Sequence, residues 1–199
     1  MDGNTVYAEV GPDGTVTNGE LTGSGLRLDD GGQVDLGNDP SLNPTQELTV
    51  CLWVTVLHDH PGSWHLLATK WGDGMPGPHY SWHFALQDTT LNLYLSNDGN
   101  EYHLAAEAGS LLAEHGLVHT CFTVVAGGDV QIYVNGVPRG AKGTFTAPAL
   151  ITGPANVFVG CKQSPGGVPC GDFIVDDFQM WNRALSAEQI YKEVFVVCI

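Results

Sequence analysis

A chain of 199 residues with 43% hydrophobic and 15% charged residues, punctuated by 26 glycines and 11 prolines, is long enough to bury its own core. It is too apolar and too turn-rich for disorder, a coiled coil or collagen. Seven Lys and Arg against 22 Asp and Glu give a net charge of -15, which repels phosphate backbones and anionic lipid, so nucleic acid and acidic membranes are excluded as partners.

The first predicted strands are residues 25–28, 33–36, 48–57 and 65–70. Alternation is strongest next: Tyr80, Trp82, Phe84 and Leu86 interleave with Ser81, His83, Ala85 and Gln87, then Leu91, Leu93 and Leu95 interleave with Asn92, Tyr94 and Ser96. Both segments read as half-buried strands. Asp88-Thr89-Thr90 is a tight connection between them, and Asn97-Asp98-Gly99-Asn100 is a hairpin signal leading into residues 101–107. Further strands are predicted at 118–125, 130–134, 156–160 and 173–181. One short helix follows: Ser186 is its N-cap, Glu188 and Gln189 sit in its first turn, and Ile190, Tyr191 and Val194 form an apolar stripe. The closing VFVVCI reads as a final strand pairing back into the sheet. With no internal repeat, linker or low-complexity tract, residues 1–199 read as one domain. The expected fold class is all-β: a two-sheet antiparallel β-sandwich (jelly roll) with one short helix near the C-terminus.

No apolar run reaches the length of a membrane span, so no membrane insertion is expected. The start MDGNTVYAEV lacks the charged-then-apolar order of a secretory leader. The five cysteines, Cys51, Cys121, Cys161, Cys170 and Cys198, include no C-x-x-C pair, and two disulfides plus one leftover is the natural count. Cys161 and Cys170 flank Pro165-Gly166-Gly167, a loop that can fold their sulfurs together. Disulfides imply an oxidising compartment, so the chain is expected to be extracellular or secreted, excised from a longer precursor. The alternative is a cytosolic protein with five free thiols.

His58, His60, His65, His79 and His83 crowd one stretch, yet a Pro-Gly loop offers no readable set of three or four zinc ligands, so solvated loop histidines are expected. No carboxylate trio of the Glu-x-Asp-x-x-Glu kind, Gly-x-Ser-x-Gly elbow or phosphate loop occurs, which argues against an enzyme. Opposite the apolar row of the central hairpins stand His83, Gln87, Asn92, Tyr94, Ser96 and His103, a polar face with one aromatic platform. Such a face suits a sugar, and equally suits water.

Four segments together resemble the laminin-G-like and pentraxin branch of the concanavalin A-like lectin fold. GSGLRLDDGGQVDLGNDPSLNPTQELTVCLWVTV is similar to the opening of such domains, with a first strand ending in Asp29, a polar connection and a buried Trp53. DVQIYVNGVPRG resembles their Asn-Gly hairpin. DFIVDDFQMWNRALSAEQI resembles the closing strand and helix, with Trp181 beneath the helix and Leu185 stapling its start. Cys51 in ELTVCLW and Cys121 in VHTCFT are similar to the pentraxin signature, although Val124 stands where that signature has Trp. The resemblance implies a Cys51 to Cys121 disulfide, which leaves Cys198 as the reactive thiol.

It also implies calcium, in one of two arrangements. The pentraxin pair would use Asp73 and Gln163, but Gly74, Lys162 and Ser164 replace other expected ligands. The laminin-G-like arrangement would set one structural calcium ion between Asp29 or Asp30 and Asp176 or Asp177, joining the first strand to the last. The functional expectation is a non-enzymatic recognition module of a larger secreted or cell-surface protein, binding a glycan or glycoprotein through His83, Gln87, Asn92, Tyr94 and His103. The alternative is a structural or adhesion domain whose partner is an extracellular protein.

Overall fold

The computed structural model describes residues 5–6, 12–57, 64–110, 116–162, 170 and 172–194. His58, His60, Gln163, Cys198 and residues 195–199 of the expected strand at VFVVCI lie outside them, as does the side chain of Asp30, while the first residue of that segment, Val194, is the C-cap of the closing helix. The strands are β1 (Thr5–Val6), β2 (Gly14–Thr22), β3 (Gly25–Asp35), β4 (Glu47–Val56), β5 (Trp64–Trp71), β6 (Tyr80–Gln87) and β7 (Thr90–Leu95). After them come β8 (His103–Ser110), β9 (Val118–Val125), β10 (Gly128–Val134), β11 (Val137–Phe145), β12 (Val157–Val159) and β13 (Phe173–Trp181), and then the helix α1 (Ala187–Glu193).

Pairing runs β11-β10-β9-β4-β13-β3-β12-β5-β6-β7-β8, with β2 added on β3 and β1 on β2. The ladder folds over on itself into two layers. Phe122 of β9 meets Trp82 and Phe84 of β6, with ring centroids 5.5 and 5.1 Å apart, although these strands are far apart in the ladder. The alternation explains the fold-over. Leu48, Val50, Leu52 and Val54 of β4 and Val130, Ile132 and Val134 of β10 point inward from one layer. Trp82, Phe84 and Leu86 of β6 and Leu91, Leu93 and Leu95 of β7 point inward from the other, and all are buried in one core. The two ends of the ladder meet where β11 lies on β8: a Cβ on Gly140 or Gly143 would sit 1.8 Å from the carbonyl oxygen of Glu107 or Ala105, so only glycine allows the approach.

The outer face of the β4-β9-β10 layer is sealed by the helix. Ser186, the expected N-cap, accepts through Oγ from Gln189 N (3.2 Å) while Gln189 Oε1 accepts from Ser186 N (2.9 Å), which completes a capping box. Leu185 and Ile190 cover Tyr133 and the buried Cys51–Cys121 disulfide, with Trp181 packed against them. Cys51 and Cys121 lie directly opposite one another on β4 and β9, and the second disulfide joins Cys161 to Cys170. Tyr191, expected in the apolar stripe, stands half-exposed.

Three expectations change. The predicted strands at 25–28 and 33–36 are one strand, β3, interrupted by a bulge at 29–32, where Thr17 pairs with Gln33 but Gly19 with Leu28 and Gly31 takes φ +86°. Trp53 is half-buried rather than in the core, because its neighbours Leu52 and Val54 point inward and it turns outward onto His119 at 5.0 Å. Strand β2 was not expected; it is largely exposed and shows no clean alternation.

Candidate functional site

The outer face of the β5–β8 layer is closely packed, with Leu66, Thr69, Ala85 and Asn92 all buried, and its side chains are set by two bulges. On β6, His83, Ala85 and Gln87 point outward, opposite Thr69, Leu66 and Trp64 of β5 and Tyr94, Asn92 and Thr90 of β7. Register slips between Leu66 and Ala68, so Leu67 enters the core while Trp64, Leu66, Thr69 and Trp71 all face out. A second slip after Lys70 sets Trp71 opposite Tyr80, turning Tyr80 away from the Trp82 side. Trp71 and Tyr80 then stack, centroids 4.3 Å apart and 17° between planes. Tyr102 closes edge-on at 5.0 Å from Trp71 and 5.9 Å from Tyr94, and Trp64 lies 5.5 Å from both His83 and Tyr94.

The result is a cleft of about 380 Å³ lined by Trp64, Leu66, Trp71, Asp73, Tyr80, His83, Tyr94, Tyr102 and Lys162. The turn that carries Tyr102 is fixed from within. Asp98 Oδ1 accepts from Asn100 N (2.8 Å) and Glu101 N (2.9 Å), and Gly99 O accepts from His79 N and Tyr80 N, tying this turn to the start of β6. Across the cleft, Thr69 Oγ1 donates to Cys161 O (2.8 Å), which seats Lys162 at the rim. Lys162 Nζ lies 2.7 Å from Asp73 Oδ2.

His83 forms the floor. It is 8% exposed, and its Nε2 has no hydrogen-bond partner among the described residues. Burial, reinforced by the positive charge of Lys162, pushes its pKa down to about 3, so the ring is neutral at physiological pH. Burial also raises the Tyr80 and Tyr94 phenols, the first further raised by the charge of Asp73, so both remain hydrogen-bond donors at neutral pH.

Of the expected ligand-binding residues, His83, Gln87, Asn92 and Tyr94 share this face, and Tyr94 donates to Gln87 Oε1 (3.3 Å). Asn92 is buried rather than presented to solvent. His103 is not with them: it pairs with Leu95, whose side chain points inward, and its ring stacks on Phe145. Ser96 is buried too, its Oγ accepting from Gly99 N within the turn. Sequence reasoning missed Trp64, Trp71, Tyr80, Tyr102 and Lys162. The density of aromatic residues between 64 and 102 was the available signal.

Of the acidic residues proposed for one ion, Asp29 is not brought together with Asp176 and Asp177. Phe173 pairs with Leu28 and Val175 with Leu26, so Asp29 and Asp176 lie at opposite ends of the β3-β13 ladder, about 13 Å apart along the strands. Asp29 Oδ2 accepts from Arg27 Nε (2.7 Å), the Asp177 carboxylate accepts from Gln179 Nε2 (2.8 and 2.9 Å), and Asp176 Oδ1 accepts from Asp177 N. Calcium needs six to eight converging oxygens, so Asp29, Asp176 and Asp177 do not make a site for one. At the other suggested position, Asp73 is already neutralised by Lys162. Among the described residues, Cys51, His119 and Cys121 alone cluster with metal-ligand spacing, and their two sulfurs are joined to each other. Melting temperatures in excess chelator and in millimolar calcium should therefore coincide. A calcium-dependent rise of several degrees, erased by Asp176→Asn with Asp177→Asn, would overturn this.

Two antiparallel layers with a helix sealing one outer face and an aromatic cleft open on the other make a lectin-like sandwich. The chain belongs to the concanavalin A-like lectin/glucanases superfamily, whose laminin-G-type family model matches residues 28–191. No characterised protein sequence matches it. Among solved structures it is similar to botulinum neurotoxin type C, whose cell entry depends on interaction with two ganglioside molecules (TM-score 0.71, 11% identity, 95% of this chain and 48% of that one). It is also similar to the binding domain of botulinum neurotoxin DC in complex with rat synaptotagmin II (TM-score 0.66, 12% identity, 93% and 47%). The binding domain of serotype D matches with TM-score 0.67 and 14% identity, over 93% and 47%. The chain spans about half the length of these solved chains, and at such identities the likeness is one of fold.

Proposed function

We propose that this chain is a non-enzymatic recognition domain of an extracellular protein and that it binds a glycan in the β5–β8 cleft. The observation that carries the reading is the aromatic wall, in which the Trp71 and Tyr80 pair, Tyr94, Trp64 and Tyr102 surround a neutral buried histidine. A sugar ring offers an apolar C–H face to stack on aromatic rings and a rim of hydroxyls for hydrogen bonds, and the cleft offers both kinds of partner. Hydrolysis of a glycoside needs two carboxylates across the bond, whereas the described lining carries one, Asp73, held by Lys162. The two disulfides support an oxidising compartment. Among the described residues no helix is long and apolar enough to cross a membrane.

A glycan array tests this directly. Trp71→Ala and Tyr94→Ala should each weaken any hit about thirtyfold or more, as loss of a buried aromatic anchor does at other binding sites. Tyr191→Ala, on the helix at the far face, should leave it unchanged. A silent array with capture of a specific protein through the same residues would favour the adhesion reading, which the protein complex of one structural neighbour also supports. Turnover of any polysaccharide would overturn the non-enzymatic reading.

A further inference from the structure

The charge balance of the cleft narrows its ligand, given the reading of the cleft as a glycan site. Lys162 is the one cation among the lining residues, and it is already 2.7 Å from the one carboxylate, Asp73. The two charges cancel, and the histidine beneath them lies in an apolar ring of Trp64, Trp71 and Tyr94. An anionic sugar entering here would have to take Lys162 from Asp73 and leave that carboxylate uncompensated, on a chain whose net charge is already -15. A cationic ligand would face the converse cost at Lys162.

The pair is nevertheless open to a ligand, with side-chain exposures of 19% for Lys162 and 36% for Asp73. It presents an ammonium donor and a carboxylate acceptor side by side. Two hydroxyls on neighbouring carbons match that arrangement, one accepting from Lys162 Nζ and the other donating to Asp73, with neither charge lost to its partner. The Trp71-Tyr80 stack lines the same cleft as the pair. Below, the buried Nε2 of His83 lacks any partner among the described residues, the one unmet polar demand in the lining.

We infer that the cleft recognises an uncharged sugar through two neighbouring hydroxyls held by the Asp73–Lys162 pair, and that it does so without a metal ion. An array carrying uncharged, sialylated, uronic and sulfated glycans, with its hits re-measured by titration calorimetry in low and high salt and in excess chelator, tests each part. Hits should be uncharged glycans whose affinity changes less than about twofold with salt and not at all with chelator. Asp73→Asn and Lys162→Met, both at the rim and checked for unchanged melting, should each lower affinity about tenfold, as should a deoxy analogue lacking one of the two hydroxyls. A preference for sialylated or sulfated glycans with a steep fall in salt would overturn the inference while leaving the glycan reading in place. Loss of binding in chelator would do the same, and so would rim variants that bind like the parent. An array with no hit at all would overturn the glycan reading itself.

Discussion

Replacing Cys51 and Cys121 together by alanine is expected to lower stability by about 4 kcal/mol, the chain-entropy value for closing a loop of about seventy residues. The disulfide spans 70 positions, joins the two strands at the centre of one layer and lies fully buried beneath Leu185 and Ile190. Its removal therefore releases loop entropy in the unfolded chain and opens space under the helix as well. The Cys161–Cys170 disulfide spans 9 positions, and on the same argument its removal should cost about 2.5 kcal/mol. Cys161 immediately precedes Lys162, so loss of this disulfide should weaken ligand binding more than its effect on stability suggests. Urea unfolding of the two double variants, with binding measured alongside, checks both expectations. A larger loss of stability from Cys161→Ala with Cys170→Ala than from the central pair would count against the ranking.

The sandwich was legible in the sequence because its strands bury one face each, so Leu91, Leu93 and Leu95 and their counterparts on β6 announce themselves by alternation. The N-cap at Ser186 and the hairpins were legible because their chemistry is local. Strand β11 was implied only by its hairpin: it is mostly exposed, and its glycines serve a neighbour, β8, some thirty residues back in the chain. The cleft was half legible for a related reason. Alternation assigns Tyr80 to the Trp82 side, and a bulge, which no residue type marks here, sends it to the opposite face. The same parity argument placed His103 with Tyr94, whereas register slips between β7 and β8 turn it toward Phe145. Lys162 could not be assigned from spacing at all, since it reaches the rim through Thr69 and the pairing of β12 with β5. Functional side chains gather where local periodicity breaks, because the break is what gathers them.

Lys70 makes the last prediction, on the opposite side of β5 from the cleft. Its side chain points inward with Ala68 toward Trp82, is 2% exposed, and donates from Nζ to Asn38 Oδ1 (2.6 Å) and Ala155 O (2.7 Å). It thereby ties the loop before β4 and the segment before β12 to the strand that carries Trp64 and Trp71. Neither hydrogen-bond partner is a carboxylate, and burial pushes the ammonium pKa down from 10.5 to about 8. Between those values the unfolded chain holds a proton that the folded chain has released, so stability must rise with pH across that window and be flat below it. The gain should be on the order of 2 kcal/mol by about pH 9.5, where the unfolded chain's phenols have only begun to ionise, so the raised Tyr80 and Tyr94 add only a small opposing slope. Lys70→Met should abolish the rise yet stay close to the parent near pH 7, because the lost desolvation cost offsets two hydrogen bonds and Asn38 Oδ1 still accepts from Asn43 Nδ2 (2.9 Å). Urea unfolding of both proteins at about pH 7 and about pH 9.5 separates the outcomes. A parent protein equally stable at the two values, or a methionine variant that keeps the slope, would show that Lys70 remains charged in the fold and that water reaches it.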